Sequence, residues 1–162
     1  MREILFRGKH IENEEWVFGS LLIDGEAHKP IEKENLSFSK CYIVPETDRE
    51  NIETRFNDGS FYLNTIAYHI IPETIGQYTG LKDTKDKKIF EGDILQYWNR
   101  YKEKYEGTCV VKYGEFNCSC CDGVYGWYLE DGDIRYLEDE TYLLYEVRGN
   151  IYDNPKLLKK GE

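Results

Sequence analysis

Three cysteines close together offer metal chemistry in NCSCCDG, residues 117–123. Cys118 and Cys121 have the spacing of a zinc knuckle, and Cys120 lies between them. A structural zinc usually takes four ligands, and no second knuckle is formed by the remaining candidates: Cys41, Cys109, His10, His28 and His69. We therefore expect incidental thiols in a hairpin loop, with Cys118, Cys120 and Cys121 as low-weight metal candidates and no cofactor.

Two carboxylates could carry acid–base or cation chemistry in GQYTGLKDTKDKKIFEGDIL, residues 76–95. Glu91 and Asp93 would point to one face of a strand, where they could share a proton or hold a hard cation. The favoured interpretation is a solvated strand start, whose carboxylates accept backbone hydrogen bonds. Gly76 and Gly80 flank too short a run for a phosphate-binding loop, and no Gly-Lys-Ser or Gly-Lys-Thr follows. The stretch predicts a turn between strands, with no catalytic residue.

Aromatic and basic residues alternate in YWNRYKEKY, residues 97–105. Such a mixture could stack bases and meet phosphates, or it could form a protein contact. In either helix or strand geometry three tyrosines share a face, so the candidate protein-binding surface consists of Tyr97, Trp98, Tyr101 and Tyr105. A solvated loop is the first interpretation, a protein contact the second and single-stranded nucleic acid the last.

The charge of the chain limits its partners. The 162 residues carry a formal net charge of −10, and the excess is even: residues 1–71 have 8 basic and 13 acidic groups, and residues 72–162 have 13 and 18. This field disfavours nucleic acid and anionic membranes and suits a basic protein partner. The chain has no apolar run long enough for a bilayer and no signal-peptide core, so we expect a cytoplasmic protein of a bacterial host cell. An odd count of 5 cysteines agrees with a reducing compartment.

Apolar residues alternate with a period of two along most of the chain, which predicts a mainly β protein. A hairpin opens it, with strands near residues 4–6 and 16–23, and further strands are expected at 40–45, 61–63 and 66–71. Residues 46–60 are polar and predict a loop. Five strands in residues 76–149 predict a small SH3-like barrel or a compact sandwich, and Asn154 followed by Pro155 predicts a final helical turn. The predicted domains are 1–70, a small N-terminal β domain, and 71–162, an SH3-like barrel with a C-terminal tail.

Three stretches together resemble one protein family. IPETIGQYTGLKDTKDKKIFEGDIL (71–95), MREILFRGKHIENEEWVFGSLL (1–22) and GNIYDNPKLL (149–158) are similar, in order, to the motifs of the YopX family, small proteins of bacteriophages and prophages. The resemblance implies a mostly β chain whose second half is an SH3-like barrel. It implies no catalytic residues and no established biochemical activity.

These observations favour a non-catalytic binding or regulatory module that acts through protein contacts. Its partner would be a host or phage protein. A homo-oligomer is a further alternative, because exposed strand edges can pair between copies. One alternative is a small metal-dependent or ligand-binding enzyme that uses Glu91, Asp93 and the loop from Cys118 to Cys121. Another is an acidic decoy that imitates nucleic acid and occupies a host protein.

Overall fold

The computed structural model describes residues 3–24, 40–45, 53–57, 60–64, 66–99, 103–118, 121–130, 134–137 and 143–158. These residues form thirteen strands and two short 3-10 turns, which confirms the mainly β class. The chain divides into two compact units, Glu3–Gln77 and a second that runs from Tyr78 to Glu162. No helix within the described ranges is long and apolar enough to cross a membrane.

Six strands lie in the N-terminal unit: β1 (Phe6–Lys9), β2 (Trp16–Asp24), β3 (Lys40–Pro45), β4 (Glu53–Asn57), β5 (Ser60–Asn64) and β6 (Tyr68–Ile70). Four of them form an antiparallel sheet in the order β6-β3-β2-β1. The predicted opening hairpin is therefore confirmed. β4 and β5 pair only with each other among the described strands, and β4 lies where the polar sequence predicted a loop.

Strand alternation builds the core of this unit. Cys41, Ile43 and Ile70 are fully buried on one face of the sheet, and partly buried side chains of neighbouring strands pack on them: Phe6, Val17, Leu21, Ile23 and Ile75. Gly8 lies on the same face, because a Cβ there would meet Ile70 Cγ2 at 2.2 Å and Ile43 Cδ1 at 3.4 Å. The close approach of β1 to this core therefore requires glycine.

Seven further strands follow along the chain: β7 (Gly76–Lys82), β8 (Lys88–Phe90), β9 (Asp93–Asn99), β10 (Lys104–Cys118), β11 (Cys121–Glu130), β12 (Ile134–Tyr136) and β13 (Leu143–Asn150). β7 pairs with β8, and the last five form an antiparallel sheet in the order β12-β11-β10-β9-β13. The sequence predicted five strands in residues 76–149, whereas the structure has seven there, because a turn at residues 91–92 separates β8 from β9 and β12 was not predicted.

The boundary between the two units falls inside β7, after residue 77, whereas the sequence predicted it after residue 70. Gly76 and Gln77 pair with β1 of the N-terminal unit. From Tyr78 onward β7 pairs with β8, where Tyr78 lies opposite Phe90. The change of pairing partner within one strand explains why no turn or linker in the sequence marks the division.

The core of the C-terminal unit lies on one face of the five-stranded sheet. Its buried members are Ile89, Leu95, Tyr97, Cys109, Val111, Leu129, Leu137 and Tyr145. Among the described strands the sheet is open rather than closed into a barrel, since its end strands, β12 and β13, do not pair with each other. β12 has only 3 residues and pairs with the end of β11. The SH3-like class stays a prediction.

The chain's last described residues form the predicted helical turn, which is a 3-10 turn at Pro155–Leu158. The Asn154 carbonyl accepts a hydrogen bond from the Leu157 amide at 3.0 Å. Asn150 is buried, and its Oδ1 accepts the amides of Tyr152 and Asp153, both at 2.9 Å. Two asparagines therefore fix the chain reversal that follows β13.

Candidate functional sites

The charged turn between β7 and β8 is organised by one buried aspartate. Asp83 Oδ1 accepts the amides of Lys85 at 2.8 Å and Lys87 at 2.9 Å, and Oδ2 accepts the Val147 amide of β13 at 3.0 Å. Burial raises the pKa of Asp83, but the three amides and the charge of Lys87 outweigh it, so the pKa lies below its ordinary value of 3.8. Asp83 is a structural hydrogen-bond acceptor in the part of the motif where the sequence predicted a turn.

The carboxylate pair at the start of β9 has a similar structural use. Asp93 is 1% exposed, and its Oδ2 accepts the Phe90 amide at 2.8 Å across a tight turn. Gly92 within that turn has φ +80°, a left-handed conformation that favours glycine. Backbone hydrogen bonding, the favoured interpretation of this pair, is confirmed for Asp93, although the side chain is buried rather than solvated. Glu91 is half-buried beside it.

The predicted aromatic surface at residues 97–105 is divided by the turn between β9 and β10. Tyr97 is 7% exposed and belongs to the core, so its placement on one face with Tyr105 was wrong. A continuous helix or strand was assumed, whereas β9 ends at Asn99 and the chain reverses. Trp98 and Tyr105 lie opposite each other with ring centroids 5.0 Å apart, and Tyr105 is 51% exposed. Tyr101 lies outside the described residues.

A second aromatic group lies on the long hairpin of β10 and β11. Residues 113–118 and 121–127, here called the arm, pair with each other and with no third strand among those described. Tyr113 lies opposite Trp127, and its ring contacts both Trp127, with centroids 4.7 Å apart, and Tyr125, at 5.3 Å. Tyr113 is 42% and Tyr125 69% exposed. We call these three residues the arm ladder.

The arm ladder continues the core face of the sheet into solvent. Val111 and Tyr113 are two residues apart on β10, so they point to the same face, as do Leu129 and Trp127 on β11. Val111 and Leu129 are fully buried, while Trp127 is half-buried against the same core. Sequence reasoning missed the ladder, although the alternation in KYGEF and VYGWY contained its signal. Only the register of the hairpin places these two segments side by side.

The cysteine-rich loop closes this hairpin. Cys118 lies opposite Cys121 in the strand register, while Cys120 lies outside the described residues, as do the side chains of Cys118 and Cys121. Gly123 donates its amide to Asn117 Oδ1 at 2.7 Å. In the described part of the chain no group of three or more His, Cys, Asp or Glu side chains could hold a metal ion. The metal hypothesis for this loop stays a prediction.

The N-terminal unit contains an open cavity of about 440 Å³ at the turn between β1 and β2. Its walls are formed by His10, Asn13, Glu15, Trp16, Val17, Phe18, Pro45 and Tyr68. Sequence reasoning did not bring these residues together, because Tyr68 reaches the site through the pairing of β6 with β3 and through the bridge of Ile70 to His10. His69 is half-buried and stacks on Tyr42, with centroids 5.1 Å apart, and His28 lies outside the described residues.

Comparison with known proteins identifies one family. The family model described as "YopX protein" matches residues 5–159, nearly the whole chain, which confirms the resemblance drawn from the three quoted stretches. No curated protein matches the chain. A crystal structure of protein EF1440 from Enterococcus faecalis is 20% identical to it, covers 98% of this chain and 100% of its own, and has a TM-score of 0.49.

Proposed function

The chain belongs to the YopX family, and on that premise we propose that it is a non-catalytic binding or regulatory protein of a phage or prophage that acts through protein contacts. The observation that carries this proposal is the arm ladder. Tyr125 presents 69% of its surface and Tyr113 42%, at the end of a hairpin whose arm pairs with no third described strand. Exposed aromatic groups on a fixed scaffold are typical of protein interfaces.

The rings of the ladder are held in place before any partner binds. Each contacts its neighbour across the β10–β11 register, and Trp127 anchors the group to the buried core. Tyrosine and tryptophan have few rotatable bonds, and packing against neighbours restricts them further. A partner that covers them therefore gains apolar burial with little loss of side-chain entropy. Trp98 and Tyr105 offer a second, smaller aromatic contact on the hairpin of β9 and β10.

Charge limits the kind of protein that binds. The net charge of −10 attracts a basic surface and repels nucleic acid at long range. Glu115 is exposed directly opposite Tyr125 in the strand register, so a carboxylate borders the ladder. The proposed partner is a host or phage protein whose contact surface combines apolar and basic side chains. A second copy of this acidic chain fits this charge pattern poorly.

The proposal is tested by capture followed by a quantitative binding assay. The tagged protein is incubated with nuclease-treated lysate of a bacterium that carries the phage or prophage, and a captured partner is purified and titrated by calorimetry. Tyr125→Ala and Trp98→Ala should each weaken the complex about tenfold or more if they are central to it. Leu157→Ala is the matched control, because it removes a 42% exposed apolar side chain elsewhere in the same unit. It should bind within about twofold of the parent.

The outcomes separate this proposal from its alternatives. If both aromatic variants bind as tightly as the parent, these surfaces are not the interface. A complex that ignores these substitutions but weakens steeply with salt indicates the acidic decoy. Stoichiometric metal in protein purified without a chelator, together with loss of that metal in Cys118→Ser, favours the metal-dependent alternative. Circular dichroism confirms that each variant is folded before its affinity is compared.

We also propose, with the family resemblance as support, that the open five-stranded sheet is related to the SH3-like barrels. Five antiparallel strands in about eighty residues are the number such a barrel uses. An experimental structure of the residues from Tyr78 to Glu162 would test this relationship. Pairing of the two end strands through residues outside the described ranges is the expected result, and a sheet that stays open along its whole length would contradict it.

A further inference from the structure

The cavity of the N-terminal unit has a rigid polar wall. His10 donates its amide to the Glu15 carbonyl at 2.9 Å, and Glu14 donates its amide to the His10 carbonyl at 2.9 Å, which closes the turn between β1 and β2. Inside that turn the Asn13 side chain contacts both neighbours. Its Nδ2 donates to Glu15 Oε2 at 2.8 Å, and its Oδ1 lies 3.1 Å from His10 Nδ1.

These contacts fix which atoms donate. The Glu15 amide donates to Asn13 Oδ1 at 3.1 Å, and the Glu15 carboxylate can only accept from Asn13 Nδ2. Both contacts require the same orientation of the Asn13 amide. Since Asn13 Oδ1 is an acceptor, the proton of a neutral His10 ring belongs on Nδ1. The Nε2 atom of that ring then carries a lone pair.

Two acceptors therefore remain for a ligand. One is His10 Nε2, and the other is Glu15 Oε1, since the carboxylate receives its one side-chain hydrogen bond among the described residues on Oε2. The rest of the lining is apolar or aromatic and consists of Trp16, Val17, Phe18, Pro45 and Tyr68. Tyr68 is 36% exposed, and the His10 ring meets it edge-on with centroids 5.4 Å apart. The cavity thus combines an anionic acceptor, a neutral acceptor and an aromatic face.

We propose that this cavity binds a guanidinium group, either of an arginine side chain in a peptide or of free arginine. A guanidinium is planar and cationic and has five N–H donors but no acceptor. Glu15 Oε1 and His10 Nε2 accept hydrogen bonds from it, while the Tyr68 ring packs on its flat face. An anion would meet the Glu15 carboxylate, and an apolar group would leave both acceptors without a donor.

Two basic residues of β1 already lie against one wall of the cavity, the ring of Trp16. Gly8 faces Ile70 and Ile43, so its neighbours Arg7 and Lys9 project to the opposite side. There the Arg7 guanidinium and the Lys9 ammonium lie 4.8 Å and 5.6 Å from the Trp16 ring centroid. Lys9 is also 4.0 Å from Glu14, which is 73% exposed. Glu15 is the acidic residue of the cavity lining, so binding of a cationic ligand depends on it and must overcome the repulsion of these two cations.

The experiment is an NMR titration of the 15N-labelled full chain with the blocked peptide acetyl-Gly-Arg-Gly-amide. The matched probe carries citrulline, which is isosteric but uncharged, and free arginine is the third probe. The arginine peptide should saturate shifts at the His10, Val17 and Tyr68 amides, and the citrulline peptide should bind at least about tenfold more weakly. Stronger binding of the blocked peptide than of free arginine identifies a peptide side chain as the ligand, and the reverse identifies the free amino acid.

Two charge-matched variants make the test specific. Glu15→Gln keeps an acceptor for Asn13 and loses the charge, so it should weaken the arginine peptide about five- to twentyfold. Glu14→Gln makes the same change on the neighbouring residue and should stay within about twofold. Equal binding of the two peptides, equal effects of the two variants or no saturable shift at these amides would each overturn the proposal.

Discussion

The substitution Asp83→Asn isolates the role of one carboxylate in the fold. In the parent, Asp83 Oδ1 accepts two amides within the β7–β8 turn and Oδ2 accepts the Val147 amide of β13. Asparagine keeps one oxygen and replaces the other by an NH₂ group of nearly the same size. If its Oδ1 stays with the turn, its Nδ2 faces the Val147 N–H, and two donors then meet. The variant therefore breaks this hydrogen bond to β13 without creating a cavity, while the Thr84 amide still donates to the Tyr145 carbonyl.

The expected loss of stability follows from these three contacts. Leaving the Val147 amide without an acceptor costs about 1–3 kcal/mol. The two contacts in the turn lose their charge assistance, which is worth about 1 kcal/mol each. A neutral amide costs less to bury than a carboxylate, and this offsets part of the loss. We expect the variant to reduce the free energy of unfolding of the C-terminal unit by about 2–3 kcal/mol.

The effect should depend on pH in a defined direction. Burial raises the pKa of Asp83, but the backbone amides and the charge of Lys87 lower it by a larger amount. The pKa of Asp83 in the folded protein therefore lies below the ordinary 3.8. A carboxyl group with a depressed folded pKa stabilises the fold above its unfolded pKa and loses that contribution as pH falls through the folded value. The difference between parent and variant should be constant above about pH 5 and should shrink below 3.8.

The assay is urea unfolding from neutral pH to about pH 2.5, with amide hydrogen exchange at neutral pH to follow the C-terminal unit by itself. Asp86→Asn is the matched control, because Asp86 lies in the same turn, is 82% exposed and contacts Lys82 at 2.8 Å. Its left-handed φ of 65° also suits asparagine, so the expected effect is below about 0.5 kcal/mol. Equal effects of the two variants, or a difference that does not change with pH, would refute the structural role of Asp83.

Two further predictions concern the N-terminal unit. Gly19→Ala should lower the stability of this unit by about 3 kcal/mol or prevent its folding, because the new Cβ would lie 1.8 Å from the Val44 carbonyl oxygen. The control is Gly126→Ala, whose new Cβ meets nothing within 4 Å. It should change the free energy of unfolding in urea by less than about 1 kcal/mol. Cys41 should react with a thiol reagent only after unfolding, since burial and then the charge of Glu73 raise the pKa of its thiol; peptide mapping that finds it labelled in the native protein would contradict this.

Most strands could be predicted because each one contains its own signal. Period-two alternation marks Trp16–Asp24 and Lys40–Pro45, and proline fixes the final 3-10 turn at Pro155–Leu158. β4 was missed because ETRFN is polar, and its pairing with β5 supplies a stabilisation that local composition does not contain. The division between the compact units likewise has no local signal, since it depends on which strand pairs with each half of β7.

The candidate sites were less predictable because they depend on contacts between distant residues. Tyr97 and Trp98 are adjacent in sequence, yet one belongs to the core and the other pairs with Tyr105. Strand alternation puts Tyr97 and Trp98 on opposite faces, but only the position of the turn after β9 places Tyr105 opposite Trp98. In the N-terminal cavity, Tyr68 joins His10 from 58 positions later in the chain. Period-two alternation is a local pattern, so it does not predict a contact between residues this far apart in the sequence.

Residues 71–95, the stretch with the most specific resemblance to the family, contain side chains that stabilise the fold. Asp83 closes one turn and reaches β13, Asp93 closes the next, and Gly92 supplies the left-handed residue within that second turn. A side chain whose acceptors are used by buried amides has little freedom to bind a ligand as well. Residues that distinguish this chain's partners should therefore be sought where side chains are exposed and fixed from below, as Tyr125 is on the arm. Substitution of the motif aspartates should alter stability first, whereas substitution of the arm ladder should alter binding with the fold intact.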